Sequence, residues 1–124
     1  MKNKIIFLSF ATNDLSISIN RLKYQAINCK FYDHVKILSN SDIGTKGKKI
    51  LSKFKNKRGY GYWFWKPYLI LKIMKEMNNG DILHYADVGC HINSEGHKRF
   101  KEYISLLNKQ KKGIISFQYF PLKK

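Results

Sequence analysis

The run Ile5-Ile-Phe-Leu-Ser-Phe10 offers no polar face to water, and it breaks at the turn formers Ala11-Thr12-Asn13-Asp14. A strand exposed on one side alternates apolar and polar residues. One covered on both sides reads as an almost unbroken apolar run, the pattern of a parallel sheet between helices. This segment therefore predicts a first strand, Lys4 to Phe10, that needs a helical layer on each face.

The rest of the chain supplies the layers. Ile19, Leu22, Ala26 and Cys29 recur at three- and four-residue steps, predicting an amphipathic helix from Ser16 to Lys30 with Asp14 or Ser16 as N-cap. Val35 to Leu38 reads as a second strand. Gly44 to Arg58 is rich in Lys and Gly and reads as a mobile loop carrying a short helix. Pro67 suits the first turn of a helix, whose expected inner face is Ile70, Ile73, Met74 and Met77, ending at Asn78-Asn79-Gly80. Ile82 to Ala86 reads as a third strand running into Asp87. A helix capped by Asn93 or Ser94 would bury Phe100, Tyr103, Ile104 and Leu107, and Ile114 to Phe117 reads as a fourth strand. Strands alternating with helices predict an α/β fold: a mostly parallel, doubly wound sheet with flanking helices. At 124 residues the chain has the length of one domain.

The formal charge is +16, from 24 basic and 8 acidic residues. Polyanions are the natural partners of such a balance: nucleic acid, an anionic membrane face or a phosphorylated substrate. The basic residues are 21 Lys and only 3 Arg, a mixture that AT-rich codon usage also produces, so charge alone selects none of them. Cys29 and Cys90 have neither zinc nor disulfide-framework spacing. Nothing approaches the roughly 18 apolar residues of a membrane span. The expected location is the cytoplasm, with peripheral contact at the inner membrane face as the membrane option.

In open α/β sheets ligands bind beyond the carboxyl ends of the strands. Two such ends are polar here: Ala11-Thr12-Asn13 after the first strand, and Asp87 with Gly89 after the third. A carboxylate at that position suits a site where a divalent cation meets substrate phosphates. The plainer reading of Asp87 is a turn former that bonds nearby backbone. Tyr60, Tyr62, Trp63, Phe64 and Trp65 crowd six positions, too many for one inward face, so some are expected to line a pocket. Lys66 stands where a phosphate could meet a helix N-terminus, or is one more solvated lysine. His84 reads as a core or edge residue, His34 and His97 as surface residues, and His91 as a loop residue. No P-loop, GxGxxG or nucleophile–base pair is present, and no residue is singled out as catalytic.

The segment Arg58-Gly-Tyr-Gly-Tyr-Trp-Phe-Trp-Lys-Pro67, followed by Gly80-Asp-Ile-Leu-His-Tyr-Ala-Asp-Val-Gly-Cys90 and Asn93, resembles a group of bacterial and viral glycosyltransferases. In these a "GYGYW-WKP" helix start precedes a "GDI-Y-DAGC" strand end. The resemblance spans Lys4 to Phe120 and is to the GT-A type, enzymes of capsular, lipopolysaccharide or glycoprotein sugars. It implies a nucleotide-diphospho-sugar transferase-like fold, a nucleotide-sugar donor, and a glycan or lipid-linked acceptor. Asp87 would correspond to the acidic motif that holds Mn or Mg, Ala11, Thr12 and Asn13 would meet the nucleoside, and Tyr62 and Lys66 would lie near the diphosphate or ribose. Gly89 stands where the second acid of that motif would be, which leaves metal dependence open. The similar proteins run longer, so residues 1–124 are expected to form a donor domain incomplete at its C-terminus. Two readings compete: a non-catalytic remnant or partner subunit, and a basic nucleic-acid-binding module.

Overall fold

The computed structural model describes residues 2–53 and 65–117, which fall into two units, Met1–Asn93 and Ser94–Lys124. The first unit holds strands β1 (Ile5–Phe10), β2 (His34–Leu38) and β3 (Ile82–Tyr85). It also holds helices α1 (Ser16–Asn28), α2 (Gly44–Leu51) and α3 (Trp65–Met74). The strands form a parallel sheet in the order β2-β1-β3. Helices flank it, an α/β arrangement compatible with a Rossmann-like fold.

β1 is central, and alternation along it assigns the two faces. Phe7 joins Leu22 and Ala26 of α1, with Val35, Ile37 and Ala86 packed around them. Phe10, on the opposite face, joins Ile43, Trp65 and Leu69, with Leu38, Leu51 and Tyr85 around them. Burying a side chain of this size stabilises by about 1.5–3 kcal/mol, so both layers are needed. Gly47 lets α2 approach closely, since a Cβ there would run into Ile43 and come within 3.1 Å of Tyr68. Asp33 and Asp81 anchor the other end of the sheet: their carboxylates accept the backbone N–H groups of Ile5 (2.8 Å) and Lys4 (2.9 Å).

Several expectations are corrected. α1 starts without a side-chain cap, because Asn13–Leu15 first forms a 3-10 turn. The region after Gly44 holds the expected short helix, Gly44–Leu51, which follows a 3-10 turn closed by a capping box of Ser39 and Asp42. α3 buries Trp65, Leu69 and Ile73, four residues apart, and leaves Met74 54% exposed. Pro67 stands near the start of α3, as expected, and the buried Trp65 ring shares its inner face. In the second unit, a 3-10 turn (Ser94–Gly96) leads into α4 (His97–Lys109), whose Phe100, Tyr103, Ile104 and Leu107 are half-buried. Ile114 to Phe117 forms no strand: it has no ladder partner among the described residues, and Ile114 and Phe117 are 75% and 70% exposed.

His84 lies inside β3, as its apolar surroundings in the sequence suggested. Its Nδ1 is 2.7 Å from the Tyr32 hydroxyl, and its ring stands edge-on to Phe7. Burial holds the imidazole below the usual histidine range and pushes the Tyr32 phenol well above its own, so the phenol keeps its proton and donates. An unfolded chain would take up a proton near pH 6.5 that folded His84 refuses. This contribution to stability is complete above that pH and is lost as pH falls through the lower folded value. The thermal midpoint is expected to drop between pH 7 and 5, and to drop less in His84→Gln; equal slopes by circular dichroism would refute the assignment.

Candidate functional site

The strand order reverses the winding of the chain beside β1. From β1 the chain moves to one side to make β2, then crosses back over β1 to make β3 on its other side. Helices of the two connections cover opposite faces, as crossovers of one hand require when they run in opposite directions. The carboxyl ends of β1 and β3 therefore flank the point where the winding reverses, the usual ligand crevice of such sheets. Leu8 pairs with Tyr85, so two residues further on Asp87 is level with Phe10, on strands about 4.8 Å apart. The turn Ala11-Thr12-Asn13 and Asp87 thus leave the sheet side by side. Ala11 is buried, Thr12 half-buried and Asn13 exposed.

α3 delivers the third component. Trp65 stacks on Phe10 with centroids 4.3 Å apart and planes at 30°, which pins the first turn of the helix to the carboxyl end of β1. The next residue, Lys66, then reaches Asp87, its Nζ lying 2.9 Å from Oδ1 and 3.1 Å from Oδ2. Tyr85, two residues before Asp87 and on the same face of β3, donates its hydroxyl to Oδ1 at 2.9 Å. The ammonium also lies 5.7 Å from the ring centroids of both Trp65 and Tyr85, within cation–π range. Lys66 is a held cation.

Partial burial by itself would raise the Asp87 carboxyl. The hydrogen bonds from Lys66 and Tyr85, with the Lys66 charge, outweigh it and hold the group below the usual carboxylate range. Burial first, then the bond to Asp87, drives the Tyr85 phenol far above its usual range, so Tyr85 is a donor at any working pH. The side chain of Asp87 is thus engaged across the fold. Only its carbonyl takes part in the following turn, accepting the Cys90 N–H at 2.9 Å, which removes the turn-former reading of the carboxylate.

Gly89 and Tyr62 fare differently. A Cβ at Gly89 would meet nothing within 4 Å, so no close approach demands glycine there. Tyr62, with Tyr60, Trp63 and Phe64, lies outside the described residues; Trp65 is core at 7% exposure. His91 is held by α1, with Gln25 Nε2 3.2 Å from its Nδ1.

A resident divalent ion fits this donor set poorly. No group of three Asp, Glu, His or Cys side chains comes together among the described residues, and residues 54–64 and 118–124 contain none of these types. Hard cations want several oxygen ligands. Asp87 offers one carboxylate whose two oxygens already carry an ammonium and a phenol.

Two residues on α1 escaped the sequence reading. Arg21 donates to the carbonyls of Val88 (2.8 Å) and Cys90 (2.7 Å), and Gln25 Oε1 accepts the Ile92 N–H at 3.1 Å. Together they shape the loop that follows Asp87. One signal was present: Arg21 is one of 3 arginines against 21 lysines, and a planar two-armed donor is what two carbonyls of one loop require.

Comparison of the chain with known protein families, curated proteins and solved structures gives no match.

The clamp is testable by itself. Arg21→Lys should lower stability by about 1–2 kcal/mol, the order of a charge-assisted hydrogen bond, and speed hydrogen exchange at the Cys90 and Ile92 amides. Unchanged exchange there would show that the loop holds its own shape.

Proposed function

We propose that the chain is the donor-binding domain of a glycosyltransferase of GT-A type, one that moves a sugar from a nucleotide diphosphate to a glycan or lipid-linked acceptor. The observation that carries this reading is the Lys66–Asp87–Tyr85 cluster beside the Ala11-Thr12-Asn13 turn, at the reversal point of a parallel sheet. A nucleoside would lie over the turn after β1. Its diphosphate would then reach the Lys66 ammonium. The sheet topology and the motif resemblance support the same substrate class independently. The carboxylate of Asp87 keeps the lysine in register with the crevice.

A second reading, a partner subunit without transfer activity of its own, draws on the outer face of α1. Ile17, Tyr24 and Ile27 are 86%, 69% and 48% exposed there, an apolar patch of the kind that marks protein contacts. Sedimentation velocity decides it: self-association weakened by Ile17→Ser with Tyr24→Ser favours the subunit reading, and a monomer at all concentrations removes it.

For the donor domain, uridine or guanosine diphosphate at millimolar concentration should raise the thermal midpoint. Ligand at 100 times its Kd adds about 2.7 kcal/mol to apparent stability. The double variant Lys66→Met with Asp87→Asn, matched in size but uncharged, should fold and lose the shift. Absence of a shift in the parent chain with either nucleotide, with or without manganese, defeats the reading.

A further inference from the structure

We infer that the crevice takes its diphosphate without a divalent ion, with the Lys66 ammonium as the counter-cation. This rests on the donor-domain reading and concerns how the ligand's charge is met. Asp33 and Asp81 hold backbone at the amino end of the sheet. Asp42 closes the capping box before α2, and Glu76 pairs with Lys36 at 3.3 Å. Glu95 and Glu102 belong to the second unit. Asp14, exposed on the 3-10 turn after β1, is the remaining acid besides Asp87.

Asp87 itself is not waiting for a cation. Lys66 spans both carboxylate oxygens, Tyr85 fills a further lone pair of Oδ1, and the ammonium is flanked by the Trp65 and Tyr85 rings. A divalent ion at that carboxylate would have to expel a like charge held from three sides. A phosphate has no such conflict. It approaches the exposed side of a lysine that is partly buried and already oriented, and the ammonium has three donors to divide between carboxylate and phosphate. Fixing the cation beforehand removes the ordering cost that a free surface lysine would incur. Tyr85 and Asp87 are positioning residues in this arrangement, and Lys66 is the group that touches the ligand.

Calorimetric titration with uridine diphosphate and guanosine diphosphate, in EDTA and in manganese or magnesium, separates the alternatives. The expected result is a Kd in EDTA within about threefold of the value with either metal. Lys66→Met should weaken binding at least tenfold in every buffer, with Lys66→Arg recovering most of the loss. Circular dichroism checks that each variant is folded. Tight binding that appears only with metal overturns the inference and leaves the donor-domain reading standing, as does metal-dependent binding that Lys66→Met strengthens by freeing Asp87. No binding in any buffer overturns both.

Discussion

A central strand that is apolar on both faces has to be covered twice, and in this chain most of the architecture follows from that requirement. Phe7 and Phe10 point to opposite sides of β1. One connection must pass on each side, and with crossovers of a single hand the second connection must return past β1. The reversal of winding beside the end of β1 is therefore a consequence of how the strand is buried.

The same packing sets the chemistry of the crevice. Trp65 serves the core through its stack on Phe10 and, by standing next to Lys66 in α3, fixes where that lysine can go. Tyr85 likewise packs against the Phe10 cluster with its ring and holds Asp87 with its hydroxyl. Aromatic residues are suited to this double duty, having a large apolar body and, in tyrosine, a polar tip. On the opposite face, Arg21 and Gln25 extend from the helix that buries Leu22 and Ala26, so the loop beyond Asp87 is tied to the second layer. Lys66, Arg21 and Gln25 each have a buried neighbour in sequence, in Trp65, Leu22 and Ala26.

Electrostatics add a second level. A chain of net charge +16 attracts anions from any direction, and a diffuse positive field singles out no position. Lys66 differs because two rings and a carboxylate restrict it, and a restricted cation distinguishes a site from a field. Asp87 is correspondingly kept ionised, so the pair persists across the neutral range until a competing anion arrives.

Strand and helix positions were legible in the sequence because they depend on short-range periodicity: the runs at Ile5, Val35 and Ile82 and the period of Leu22 and Ala26 need no knowledge of partners. Asp87 was legible for the same reason, as a carboxylate ending an apolar run. The inner face of α3 was read only in part, with Ile73 buried as expected but Trp65 and Leu69 in place of Met74, and Ile114 to Phe117 resembled a strand but pairs with none among the described residues. Whether Lys66 was a solvated lysine or a site residue was open in the sequence, and Arg21 was visible only as a rare arginine. By itself the sequence determined which segments are buried and which turns are polar, because burial is written in local pattern. Only the tertiary structure decided that Lys66, Tyr85 and Asp87 meet and that Arg21 grips the next loop. Those contacts join residues up to 69 positions apart, and they are set by strand order and helix phase, which no local window contains.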